Sequence, residues 1–189
     1  MPHIFNPKKL KKLESSERYD VIKPDKVLKD MGLKTGDTIL DFGIGTGFFA
    51  LPALEIIGKN GFLYGTDLSA DMLEYTKERT KDFSNIKLLL TDGLDIPVET
   101  SSVDLVIMAF VLHEINEKDK TLAEIKRILK PGGKFLIVEW NTENIEKGPP
   151  KNDRISIKEA SEILKKEGFT PKTSKTINDR FYYTISISE

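Results

Sequence analysis

The sequence predicts an α/β fold in which a parallel sheet is covered by helices on both faces. Three observations predict it. Short apolar runs of strand length recur at 39–42, 62–67, 86–90, 103–109 and 135–140. Stretches with helical spacing of apolar residues lie between most of them. The first run ends in Asp41 and passes into a turn with glycine at 43, 45 and 47. A chain of 189 residues is long enough to bury the core of one such domain and leaves little room for a second.

The elements follow in order. Residues 1–34 are polar, with apolar positions Ile4, Phe5, Leu10 and Leu13 and then Val21, Ile22, Val27, Leu28 and Met31, a spacing that predicts a short helix and a longer one. The second starts near Pro24 and stops at Gly32, since proline is tolerated in a first helical turn and glycine ends helices. This segment is expected to form a helical cap, either a moving lid or a packed helix, on a single domain whose core is 35–189. Residues 48–57 continue the glycine turn as helix. The strand at 62–67 ends in Asp67, and Ser69 is placed to cap a helix over 70–81. Strands at 86–90 and 103–109 follow, then a helix over 118–129 and the turn Lys130-Pro131-Gly132-Gly133-Lys134, which leads to the strand at 135–140. Residues 141–154 form a long irregular connection on the carboxyl side of that strand, where loops are often functional. Ser156 and Glu159 have capping-box spacing and open a helix that ends near Gly168. Residues 170–177 and 181–187 alternate as a hairpin through Asn178-Asp179-Arg180.

The turn after the first strand carries the chemistry. Glycine there permits positive φ and close approach of a ligand to the backbone, and open α/β sheets bind ligands at the carboxyl ends of their strands. The glycines do not have the spacing of a dinucleotide fingerprint, and no Lys-Ser or Lys-Thr pair follows them as in a triphosphate-binding loop. Asp67 ends the next strand, where a carboxylate reaches the hydroxyls of a ribose. Asp92 falls at the end of the third, where it can accept a proton from an exocyclic amine, and Gly93 beside it permits close approach of a flat ring.

Composition narrows the function. Lysine and arginine number 29 against 30 acidic residues, a net charge of −1, which favours neither nucleic acid nor an anionic membrane as partner. The absence of cysteine excludes disulfides, thiolate metal sites and cysteine nucleophiles, and two histidines offer no obvious metal cage. No apolar run is long enough for a membrane span or a secretory signal, so a cytoplasmic protein is expected.

Five segments together carry a resemblance: Asp41-Phe42-Gly43-Ile44-Gly45-Thr46-Gly47, Gly65-Thr66-Asp67-Leu68-Ser69, Thr91-Asp92-Gly93, Ser102-Val103-Asp104-Leu105-Val106 and Leu129-Lys130-Pro131-Gly132-Gly133. In this order, across residues 36–140, they resemble the motifs of class I S-adenosyl-L-methionine (SAM) dependent methyltransferases. The nearest similarity is to the small-molecule type related to the ubiquinone and menaquinone biosynthesis enzymes. The resemblance implies a Rossmann-like, doubly wound, seven-stranded sheet of order 3-2-1-4-5-7-6 with the last strand antiparallel. It implies SAM as cofactor and S-adenosyl-L-homocysteine as product. Carried over by position, Gly43, Gly45 and Gly47 border the methionyl part of SAM and Asp41 helps hold its amino group. Asp67 takes the ribose hydroxyls, Leu68 and Met72 line the adenine, and Asp92 with Gly93 meets its amino edge. Ala109 and Phe110 flank the sulfonium.

Methyl transfer from a sulfonium needs chiefly alignment and exclusion of water, with a base only where the acceptor must lose a proton. His113 and Glu114, which leave the fourth strand near the expected methyl group, are the acid/base pair the sequence offers, with a core histidine as the alternative. Phe5, Trp140, Arg154 and Tyr182 are candidate walls of the acceptor site. The expected partner is a small-molecule acceptor. A silent SAM-binding module with a sensing or scaffolding role is the rival reading.

Overall fold

The computed structural model describes residues 16–143 and 148–189. Its strands are β1 (Thr38–Phe42), β2 (Phe62–Asp67), β3 (Ile86–Leu90), β4 (Val103–Ala109), β5 (Leu129–Trp140), β6 (Phe169–Thr176) and β7 (Phe181–Ser188). They form one sheet of order β3-β2-β1-β4-β5-β7-β6. β1 to β5 run parallel, and β7 pairs antiparallel with both β5 and β6. The fold class, strand order and hairpin expected from sequence are therefore present.

Alternation along each strand divides the core between the two faces. Ile39, Leu105, Ile107, Leu136 and Val138 pack on one, and Leu40, Phe42, Val106, Met108, Phe135 and Ile137 on the other. The first face is covered by α2 (Pro24–Met31), through Val27, Leu28 and Met31, and by α3 (Ala50–Ile57), through Ala53, Leu54 and Ile57. On the second face lie α5 (Lys118–Ile128), through Leu122, Ile125 and Ile128, and α6 (Ile157–Lys166), through Ala160 and Leu164. α4 (Ala70–Arg79) starts from Ser69, whose hydroxyl accepts the Met72 N–H at 3.3 Å. Ser156 and Glu159 close a complete capping box on α6.

The N-terminal segment divides. α2 is a packed helix: Lys134 Nζ donates to the Met31 carbonyl at 2.7 Å, and the Tyr183 hydroxyl donates to Asp30 at 2.6 Å. Ahead of it lies α1 (Ser16–Ile22). The mobile cap expected for the first nineteen residues, Phe5 included, lies mostly outside the described residues.

One element differs from expectation. Residues 130–133, read as a turn before the fifth strand, lie within β5, whose pairing with β4 jumps from Val103–Leu129 to Leu105–Lys134. The backbone bulges there because Leu129 already pairs with β4, leaving the Pro-Gly-Gly run as unpaired slack.

Candidate active site

The turn after β1 is tied down from behind. The Thr76 hydroxyl donates to the Gly45 carbonyl at 2.5 Å and Arg79 donates to the Thr46 carbonyl at 2.5 Å, so α4 fixes the path of the loop. Its three glycines all have positive φ but serve different ends. A Cβ on Gly43 would lie 2.5 Å from the Val111 side chain, and one on Gly47 3.3 Å from Thr76, so these two make room for protein. A Cβ on Gly45 would meet nothing nearer than the Gly43 carbonyl at 3.9 Å. Gly45 faces open space, the place a ligand backbone contact requires. At Gly93 a Cβ would lie 2.4 Å from the Phe42 ring, so the glycine there also makes room for that core ring.

Two carboxylates stand beside the turn. Asp67 accepts the Gly45 N–H on one oxygen and the Ser69 N–H on the other, each at 2.9 Å. Each carboxylate oxygen has two acceptor directions, so a vicinal diol can still be received. Burial raises the Asp67 pKa against these hydrogen bonds. Asp41 is 2 % exposed and its Oδ2 is buried without a hydrogen-bond partner. Burial, with the charge of Asp67 second, pushes its carboxyl up to about 7. A buried carboxylate oxygen without a hydrogen-bond partner, two residues before the glycine turn, is suited to a cationic amine, so Asp41 fits the methionyl ammonium of SAM.

The apolar rim lies at the ends of β2 and β3. Leu68, Leu90 and Leu94 are among the exposed large hydrophobic side chains, whereas Met72 is buried in the core. Asp92 is exposed and accepts the Leu94 N–H at 3.0 Å, which fixes the tip of this loop. Leu68 and Asp92 thus flank one surface, and Met72 lies inward of it.

Across the sheet, Ala109 ends β4 and Phe110 follows with φ of 63°, an uncommon conformation for a bulky residue. Its N–H donates to the Val138 carbonyl at 2.8 Å, and its ring meets Trp140 and Phe181 at centroid distances of 5.6 and 5.4 Å. His113 sits on the short 3-10 turn that follows, 2.9 Å through Nδ1 from both oxygens of Glu139. Glu139 is fully buried and also accepts the His113 and Trp140 backbone N–H groups at 3.2 and 3.1 Å. A carboxylate only accepts, so Nδ1 carries the proton and Nε2 is left as the basic atom of a neutral ring. Burial pulls the His113 pKa down, but the hydrogen bond and charge of Glu139 overcome it and raise it above 6.5. Glu114, the other half of the expected pair, has a half-exposed side chain with Oε1 3.7 Å from His113 Nε2.

Sequence reasoning missed Glu139, although a lone acid in the apolar run 135–140 was a signal. Of the proposed walls, Tyr182 is buried with its hydroxyl on the Ile155 carbonyl at 2.7 Å. Arg154 donates to the Asn141 and Pro149 carbonyls and lies over the Trp140 ring, so it clamps the connection after β5. A cavity of about 470 Å³ opens beside His113, with Lys118, Asp153, Arg154, Glu159 and Ile163 in its wall, within the size range of small-molecule sites. Among the described residues no cluster suited to a metal ion occurs, and no helix is long and apolar enough to cross a membrane.

Comparison with known proteins adds relatives to this geometry. The family model described as a methyltransferase domain matches residues 33–175. Demethylmenaquinone methyltransferase of Staphylococcus aureus is 35% identical over 131 residues, 69% of this chain and 54% of its own. The chain thus spans about half the length of the curated relatives it matches. A SAM-dependent methyltransferase crystal structure from Aquifex aeolicus superposes with a TM-score of 0.92 at 33% identity, covering 98% of this chain and 100% of its own. Phosphoethanolamine N-methyltransferase 2 of Haemonchus contortus, solved with SAM, has a TM-score of 0.74 at 21% identity, covering 88% of this chain and 52% of its own. That last likeness is one of fold.

Proposed function

The chain belongs to the class I SAM-dependent methyltransferases, and from that premise we propose that it methylates a small-molecule acceptor held beside His113. SAM, when bound, supplies a methyl group on a positively charged sulfur that becomes neutral as the group leaves. Gly43, Gly45 and Gly47 bear on its methionyl part, Asp41 on its ammonium and Asp67 on its ribose. Leu68, Met72, Asp92 and Gly93 border the adenine, and Ala109 and Phe110 border the sulfonium. The observation that carries this reading is the buried, unpartnered Oδ2 of Asp41, which lies two residues before the glycine turn.

His113 takes a proton from the acceptor at Nε2, and Glu139 holds the ring in the tautomer that makes this possible. Glu114 stands near enough to Nε2 to steer it or to pass the proton to solvent. The acceptor is a small metabolite with an ionisable proton, of the quinone-precursor kind that the similarity to demethylmenaquinone methyltransferase suggests. The near-neutral net charge of −1 supports a small molecule over nucleic acid as acceptor. Residues 1–34 act as the cap of one domain, with 35–189 as its core. A silent binding module needs no base, and the pairing of His113 with the buried Glu139, which leaves Nε2 basic, favours transfer over that reading.

The test is calorimetric titration with SAM, S-adenosylhomocysteine and NADH, on the wild type and on Asp67→Ala. Two charge-assisted hydrogen bonds to a ribose are together worth about 3 kcal/mol, so the variant should bind SAM roughly 100-fold more weakly. NADH should bind neither protein. Failure of the folded wild type to bind either sulfur nucleotide would refute the proposal.

A further inference from the structure

Lys118 is the first residue of α5, and with His113 it lines the cavity that reaches to the start of α6. Its position is unfavourable for a lysine. The residue is half-buried, and burial lowers its pKa. A cation in the first turn of a helix opposes the helix dipole, which favours anions there. Among the described residues no carboxylate forms an ion pair with it: Nζ donates to the Ile115 carbonyl at 2.5 Å, and Glu139, whose charge favours the ammonium, is engaged by His113. An ammonium has three donors, so two remain after the Ile115 bond. A lysine kept for solubility would extend into water and escape these costs.

Charge in the cavity wall is divided between the two residues. Against burial, the groups that favour a proton on His113 are carboxylates: Glu139, then Glu114 with Oε1 3.7 Å from Nε2, then Asp153. Lys118 supplies positive charge in the same wall. The other charged residues there are engaged elsewhere. Glu159 caps α6 with Ser156, Arg154 donates to the Asn141 and Pro149 carbonyls, and Glu162 faces Lys158 at 3.9 Å. Ile155 and Ile163 add apolar surface. An O–H acid needs both a proton acceptor and a cation for the charge left on oxygen. An amine leaves no negative charge when it loses its proton, and it enters as an ammonium that Lys118 repels.

We infer that Lys118 is a second catalytic residue, whose ammonium receives the acceptor oxygen as His113 removes its proton, and that it makes the site one for an O–H acid rather than an amine. This role rests on the reading given above, in which an acceptor lies beside His113. The O–H bond breaks with its electron pair left on oxygen, the proton goes to Nε2, and the ammonium balances the negative charge. That oxygen, or a ring carbon conjugated with it, takes the methyl group, and the electron pair of the broken carbon–sulfur bond stays on sulfur. Lys118 keeps its proton throughout.

The full chain saturated with S-adenosylhomocysteine provides the test, with para-nitrophenol as probe, since only its ionised form is yellow, and para-nitroanisole, which has no O–H, as control. Bound to the wild type, para-nitrophenol should ionise about tenfold more readily than in solution, read as a shift of its absorbance titration to lower pH. Lys118→Met should remove that gain while leaving the affinity for para-nitroanisole at the wild-type value. Lys118→Arg, which keeps a cation, should restore most of it. A gain undiminished in Lys118→Met would overturn the inference, as would parallel loss of both ligands in that variant. Calorimetry with S-adenosylhomocysteine alone separates the two readings. A wild type that binds it but leaves the probe titration unmoved refutes the role of Lys118 alone; a folded wild type that does not bind it refutes the cofactor reading, and this role with it.

Discussion

Replacing Asp41 by Asn should stabilise the protein at neutral pH while weakening its hold on SAM. In the folded chain this carboxyl gives up its proton only near about 7, against an ordinary 3.8. Below the ordinary value both folded and unfolded chains are protonated and the site costs nothing. Between the two values the unfolded chain ionises and the folded one does not, so stability falls as pH rises, and above about 7 the loss is complete. At about 1.4 kcal/mol per tenfold change in proton affinity, the full loss is about 4 kcal/mol. Asparagine abolishes it but brings a buried amide whose donors need partners, at about 1 to 3 kcal/mol. The net gain near pH 7.5 is roughly 2 kcal/mol, or about 6 °C in melting temperature for a chain of this size. At pH 4 the gain should vanish or reverse. Thermal melts from pH 4 to 8 read the crossing directly. The SAM ammonium should also draw the proton off Asp41, so wild type should release a proton on binding near pH 6.5 and Asp41→Asn should not; calorimetry in buffers of different ionisation heat measures this. Parallel stability curves for the two proteins would show that Asp41 is charged in the free protein at acidic pH, and the reasoning would fail.

His113→Gln should lower kcat by about 100-fold or more with little change in SAM affinity, the size of a lost general base. In the wild type kcat/KM should rise with pH through a His113 value above 6.5, and Glu139→Gln should move that limb to lower pH, because the carboxylate is what raises it. The stability that this pair contributes is fully present below the ordinary histidine value and lost as pH rises through the raised one, so the Glu139→Gln deficit in chemical denaturation should be greatest in acid. Gly45→Ala and Gly93→Ala should part company. The first should cost about 1 kcal/mol of stability for its positive φ but more than tenfold in SAM affinity, since its methyl projects into open space. The second should cost about 3 kcal/mol, read as a fall of about 9 °C in melting temperature, because its methyl meets the Phe42 ring 2.4 Å away. Equal stability of the two variants would contradict the division of the glycines drawn above.

The sequence by itself determined the elements and their order, because local patterns carry that information. β2, β3 and β4 fall where their apolar runs lie, Ser69 and Ser156 cap the helices they precede, and the hairpin turns at Asn178-Asp179-Arg180. It also brought Asp41, the glycine turn and Asp67 to neighbouring strand ends, since the parts of one βαβ unit lie close together in the chain. What only the tertiary structure decided are relations between distant residues. That Glu139 lies against His113, 26 positions away, follows from the pairing of β4 with β5. Nothing local distinguishes Gly45, which faces open space, from Gly43 and Gly93, which face Val111 and Phe42. Arg18, among polar neighbours on a short helix, gives no sign in sequence of the Phe48 and Phe110 rings that enclose it. Periodicity reports which side of an element is apolar; which side chains meet across the sheet is set by register and packing, and the chemistry of this site lies in those meetings.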